Sequence, residues 1–270
     1  MAFTDNCNLY GAIHEDGINR VAKHIMQQRP LLFNYGTAFV AANPYLLCKP
    51  IKVAPDVDNF GNPHITVEDP LPVLGTNGLI GLNFCFQITE LELDFHPGKV
   101  FTLPPELSPP LGAQHFAIHA QVCGGIGCPP RDMEIPNPTQ TGEQFPLTHQ
   151  VEVEQFVPPT EKLECFCLDL FVVGHIEMNG SVGDQRLLGK VDGLEIVDIE
   201  PKGLENSLEC YLNMLLKIVI LPRVSIAIPT MVFGILDLAT ITLSASTTVT
   251  NNPAIEDDQL KVFIDMGVSP

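Results

Sequence analysis

Residues 191–231, VDGLEIVDIEPKGLENSLECYLNMLLKIVILPRVSIAIPTM, carry a helix pattern set between two strand patterns. Leu194, Ile196 and Ile199 give an incoming strand, and Pro201 then opens a helix, where its missing N–H would have no partner anyway. Between Pro201 and Pro222 the residues Leu204, Leu208, Tyr211, Leu212, Leu215, Leu216 and Val219 recur on one helical stripe, with Glu205, Asn206, Glu209, Asn213 and Lys217 opposite. After Pro222 the period changes. Val224, Ile226 and Ile228 alternate with Arg223, Ser225 and Ala227, which is strand spacing. The stretch predicts one long amphipathic helix bound into a β-rich chain.

Upstream, residues 9–28 predict a second helix. Ile18, Val21, Ala22 and Ile25 share a face, Leu9 and Ile13 extend the apolar content, Gly11 and Gly17 weaken the start, and Arg29-Pro30 ends it. Strands are expected within 31–53, at 64–67, over 78–95, and at 114–122, 163–178, 224–228, 231–243 and 260–266. In 78–95 the apolar parity changes from Ile80, Leu82, Phe84, Phe86 and Ile88 to Leu91, Leu93 and Phe95, the pattern a bulge or bend produces. Cys165, Cys167, Asp169, Phe171, Val173 and His175 share one face of 163–178. Proline-rich loops are expected near 96–112 and 129–150.

Length fits one large domain or two small ones, of which one is expected, and 24 prolines, 21 glycines and no tryptophan in 270 residues suit many strands joined by irregular loops. A net charge of −18 repels phosphate backbones and anionic head groups, so nucleic acid is not an expected partner. The N-terminus has no basic segment followed by an apolar one, and the run 214–221 is broken by Lys217 and too short to cross a bilayer. A soluble chain without a membrane span is expected, cytoplasmic or released by a non-classical route.

Chemistry-bearing motifs are few. His115, His119, Cys123 and Cys128 are ligand types that zinc takes, and the first three share strand parity, but on a strand His115 and His119 stand about 13 Å apart at roughly 3.3 Å per residue. No metal and no cofactor are expected. The eight scattered cysteines are read mainly as buried thiols, with Cys165 and Cys167 open to a disulfide with Cys123, Cys128 or Cys85 in an oxidising setting. A nucleophile elbow, a Walker loop and a dinucleotide fingerprint are all absent from the sequence, so an enzyme is not expected.

The order of elements, from an N-terminal amphipathic helix through long strands to a helix, Leu221-Pro222, further strands and a closing QLKVFIDMG, resembles the tubular lipid-binding (TULIP) superfamily, including its BPI-like and clostridial neurotoxin-cluster members. The resemblance implies an α+β fold: one module over 1–270 in which a strongly bent antiparallel sheet wraps around long amphipathic helices. It further implies an apolar tube for lipid or another hydrophobic ligand, lined by Ile18, Val21, Ile25, Leu208, Leu212, Leu215, Val219, Phe84 and Phe86. The alternative expectation is a structural or interaction protein, a toxin accessory or particle component, with a protein partner or self-association in place of the ligand.

Overall fold

A computed structural model describes residues 4–73, 80–127, 155–180, 185–197, 225–227, 233–235 and 239–269. Fourteen strands lie among them. The first seven are β1 (Leu9–His14), β2 (Asn34–Thr37), β3 (Thr66–Glu68), β4 (Leu71–Pro72), β5 (Gly81–Leu82), β6 (Phe84–Phe95) and β7 (His115–Gly127). The others are β8 (Leu163–Asn179), β9 (Arg186–Val197), β10 (Ser225–Ala227), β11 (Phe233–Ile235), β12 (Ala239–Ala245), β13 (Ala254–Glu256) and β14 (Gln259–Ser269). Three α-helices accompany them: α1 (Glu15–Gln28), α2 (Ala38–Ala42) and α3 (Pro55–Asn59). One sheet runs β10-β9-β8-β7-β6-β2-β3; a second runs β1-β14-β12-β11, with β13 also on β14; β4 and β5 pair separately.

The chain divides into two compact units. The first comprises Met1–Ala22, Leu91–Ala120 and Leu168–Pro270. There β14 takes three partners, pairing antiparallel with β1 from Leu9↔Ile264 to His14↔Gln259, and with β12 and β13. One face of β7 packs Phe116 against Phe95 and Ile255, flanked by Ile18, Leu93, Ile118, Ile176 and Leu260. On the other face Ala117 meets Leu103 and Leu111, which the proline-rich segment 96–112 supplies. That segment is held by Asp94, a buried carboxylate accepting backbone N–H bonds from Lys99 (3.0 Å), Val100 (3.1 Å) and Phe101 (3.4 Å). Five prolines take five N–H donors from the segment and break any ladder, and the carboxylate holds the three consecutive N–H groups of 99–101 in its place.

The second unit comprises Lys23–Glu90 and Gln121–Cys167. Here β2 pairs antiparallel with β6 (Tyr35↔Phe86) and parallel with β3 (Tyr35↔Thr66). Val40, Leu46, Cys85 and Leu163 form its core. Beside them lies a buried amide network. The Gln87 Nε2 donates to Asn34 Oδ1 and to the Lys49 carbonyl, both at 3.0 Å, while Gln87 Oε1 accepts the Lys49 N–H at 3.0 Å. Every polar atom of Gln87 is thereby used, which is what permits a 1 % exposed amide.

Two expectations about regular structure are corrected. The α+β fold, a bent sheet around long amphipathic helices, gives way to a mostly β chain whose helices number 14, 5 and 5 residues among the described residues. The helix expected over 9–28 is shortened because Leu9 and Ile13 satisfy their backbone on β14, and strand pairing overrides their helical spacing. What remains as α1 is not enclosed by a sheet, since Val21 and Ile25 are exposed. The helix expected over 203–221 lies outside the described residues. Within 31–53 only β2 is a strand; Ala38, Ala41 and Ala42 favour the turn of α2, and Pro44 opens a 3-10 turn.

Of the cysteine readings, the disulfide left open between Cys167 and Cys123 is present, whereas the reading mainly as buried thiols is corrected, and Cys165 takes a partner, Cys48, that the sequence did not suggest. Cys48 is bonded to Cys165 and Cys123 to Cys167, while Cys7 and Cys85 are buried thiols. Gly125 makes room for the first pair, because a Cβ there would lie 2.7 Å from the Cys48 Sγ and 3.0 Å from the Cys165 Sγ. The Cys85 Sγ stands 3.4 Å from the Cys48 Sγ, and burial pushes the Cys85 thiol above its ordinary range, which keeps it a weak nucleophile. Peptide mapping without reductant should recover Cys48–Cys165 and Cys123–Cys167 and leave Cys85 unalkylated until the fold is opened. Cys123→Ser with Cys167→Ser should lower unfolding stability by about 2 to 4 kcal/mol, read from denaturant melts.

Candidate functional site

In the first unit, side chains able to bind or transfer protons gather along one face of β7, β8 and β9. Alternation sends His115, Ala117 and His119 to the face opposite Phe116 and Ile118, and sends Phe171, Val173 and His175 of β8 to meet them. The rings pair across the strands. His119 stacks on Phe171 with centroids 4.7 Å apart, and four residues away along each strand His115 stands edge-on to His175 at 6.0 Å.

The two pairs differ in surroundings. His119 is packed between Phe171 and Phe101, and its Nε2 lies 2.9 Å from Asp169 Oδ1. Its Nδ1 is buried without a hydrogen-bond partner, with Glu92 Oε2 3.8 Å away. His115 and His175 face water, and both face Asp192. The His175 Nδ1 is 2.8 Å and the His115 Nε2 3.4 Å from Asp192 Oδ2. On its far side His175 Nε2 donates to Glu177 Oε1 at 3.2 Å, and His115 Nδ1 donates to the Ala113 carbonyl at 2.7 Å.

Asp192 owes its position to an irregularity in the ladder. Val173 pairs with Gly193 but the next residue, Gly174, pairs with Val191, so Asp192 has no partner opposite and forms a β-bulge. Gly174 is required there, since a Cβ would run into the Lys190 carbonyl and come within 2.9 Å of the Phe116 ring. The group His115, His175 and Asp192 has three ligand atoms within 4.8 Å of one another, a set able to hold a metal ion.

In the second unit a cleft of about 550 Å³ opens between the segment 41–51 and the segment 62–67. Tyr45, Leu47, Pro50, Ile51, Ile65 and Val67 make its wall, with Asn62 and His64 as polar members. His64 is engaged by Asp58, Nε2 to Oδ1 3.0 Å. The wall is braced from behind: Gln87 bonds both backbone groups of Lys49, and the neighbouring Cys48 is tied to Cys165.

The residues named from sequence as lining a tube fall elsewhere. Ile18 packs into the Phe95–Phe116–Ile255 core, Val21, Ile25 and Phe86 are exposed, and Phe84 is half-buried; none lines the cleft. Leu208, Leu212, Leu215 and Val219 lie outside the described residues. His115 and His119 belong to separate groups and Cys123 to a disulfide; Cys128 lies outside the described residues. Asp192 and Glu177 were missed. The available signal was two glycines inside strand patterns, Gly174 and the Asp192-Gly193 step, which mark bulges.

The Asp192 hydrogen bond, opposed by partial desolvation and assisted by Glu177, raises His175 above the ordinary histidine value of 6.5. Because the folded value is raised, the pairing stabilises the fold fully below the unfolded pKa and is lost as pH rises through the folded one. An NMR titration of metal-free protein should place His175 above 6.5, and Asp192→Asn should return it toward that value. No protein-family model matches the chain, and no curated protein sequence matches it significantly.

Proposed function

We propose that this chain is a non-catalytic binding protein that holds a neutral, apolar small molecule in the cleft of its second unit. The observation that carries the reading is the cleft itself: about 550 Å³, walled by Tyr45, Leu47, Pro50, Ile51, Ile65 and Val67. Small-molecule sites have volumes of roughly 300 to 1,000 Å³ and mostly apolar walls with a few polar groups. Each methylene placed there contributes about 0.8 kcal/mol. A wall braced by Gln87 and by the Cys48–Cys165 bond is already formed before the ligand arrives, which lowers the cost of association. The net charge of −18 disfavours anionic ligands. The hydrophobic ligand is thus retained, while an enclosing tube is not part of the reading. The two disulfides support an oxidising setting.

The interaction-protein alternative draws support from Tyr45 and Phe60, which are 79% and 80% exposed. Fluorescence titration with Nile red, a neutral dye that brightens in apolar surroundings, separates the two. Saturable one-to-one binding is expected, weakened about tenfold or more by Val67→Asp and by Tyr45→Ala. Val67 is more than half exposed, so its replacement leaves the core intact. Absence of saturable binding in the wild type, together with concentration-dependent self-association that Tyr45→Ala and Phe60→Ala abolish, would replace the carrier with the interaction protein.

A further inference from the structure

We infer that His115, His175 and Asp192 form a binding site for a divalent transition-metal ion of the zinc class, distinct from the cleft and in the other unit of the chain. Distances come first. Two donors about 2.1 Å from a tetrahedral ion stand roughly 3.4 Å from each other. Asp192 Oδ2 is 3.4 Å from His115 Nε2 and 2.8 Å from His175 Nδ1, and all three ligand atoms lie within 4.8 Å of one another. An ion seats among them with shifts of well under the length of a side chain.

Orientation is set independently of the distances. A metal-bound imidazole donates its other N–H to a carbonyl or carboxylate, which fixes the tautomer and turns the free lone pair to the ion. Both histidines already have such a partner: the Ala113 carbonyl takes His115 Nδ1–H at 2.7 Å and Glu177 Oε1 takes His175 Nε2–H at 3.2 Å. The other Glu177 oxygen is 3.8 Å from the Lys190 ammonium, which directs that cation at Glu177 and leaves Asp192 to the ion. Binding then exchanges one charge for another. His175 gives up the Nδ1 proton that it donates to Asp192, the proton leaves to solvent, and the ion bonds both groups in its place.

Continuing the register of 169–173 would place residue 192 opposite Gly174, on the face away from His175, but Gly174 pairs with Val191, which frees residue 192 from pairing and brings its carboxylate to the histidines. Bulges with a fixed glycine re-aim single side chains, and this one aims an acid at two imidazoles. Imidazole with carboxylate selects zinc, nickel or copper over calcium and magnesium, which take oxygen alone. The three side chains are about one-third exposed, leaving the remaining coordination positions to water.

Isothermal titration of the oxidised chain with zinc chloride is expected to give one site, with proton release that varies with buffer ionisation enthalpy. Asp192→Asn, which keeps the shape of the side chain, and His115→Gln should each weaken binding a hundredfold or more with an unchanged circular-dichroism spectrum. Glu177→Gln should weaken it about 10- to 100-fold, as loss of an outer partner does. His64→Ala and His119→Ala, which lie outside the group, should leave it within twofold. Absence of zinc binding at micromolar concentration overturns the site, as does affinity that survives both Asp192→Asn and His115→Gln.

Discussion

The antiparallel register between β7 and β8 decides which side chains of the first unit can ever meet. Moving four residues along β7 from His119 to His115 moves four the opposite way along β8, from Phe171 to His175. In the second unit the same strands are joined covalently at Cys123 and Cys167, a further four residues on. A slip of one residue would turn His115 and His119 to the Phe116 face and put polar rings where Phe95 and Ile255 pack. The disulfide forbids that slip. The histidine face, the Phe101–Phe171 packing above it and the core below are therefore consequences of one pairing choice.

That choice was only half visible in the sequence. Alternation placed His115, His119 and Cys123 on one face of 114–122, and Cys167, Phe171 and His175 on one face of 163–178, as the strands have them. Which face met which was not visible, because register depends on contacts between residues far apart in sequence. The bulge at Asp192 left only Gly174 and Gly193 as a local trace. Elsewhere the apolar pattern misled. Phe84, Phe86 and Ile88 suggested the buried side of their strand, yet Cys85 and Gln87 are the buried ones and Phe86 is exposed. Gln87 is tolerated inside because Asn34 and Lys49 satisfy its amide, and hydropathy has no means of registering a satisfied polar group.

The helix at 9–28 shows a second limit. Its apolar spacing is real, and Ile18 does reach the core, but Leu9 and Ile13 went to a strand because β14 offered them six residue pairs. A local pattern worth a few tenths of a kcal/mol per residue yields to a ladder. The cleft could not have been read from the sequence, since one wall is a proline-broken helical segment and the other runs into the short strand β3, and nothing local says that the two face each other.

The seam between β1 and β14 sets a timetable for synthesis. Asn8 Oδ1 accepts the Met266 N–H across 258 residues of chain, and every β1 pairing is similarly remote. A nascent polypeptide leaving the ribosome therefore carries β1 without its β14 partner until residues 259–264 have emerged, whereas the residues of the second unit are complete by Cys167. Closure over such a span is slow, and an early strand waiting for a late partner is open to pairing with other chains. Gly11 and His14 keep that waiting strand less apolar than a core strand, and the acidic first turn of α1 follows immediately. Charge placed beside an unsatisfied edge is how natural sheets discourage such encounters during the interval.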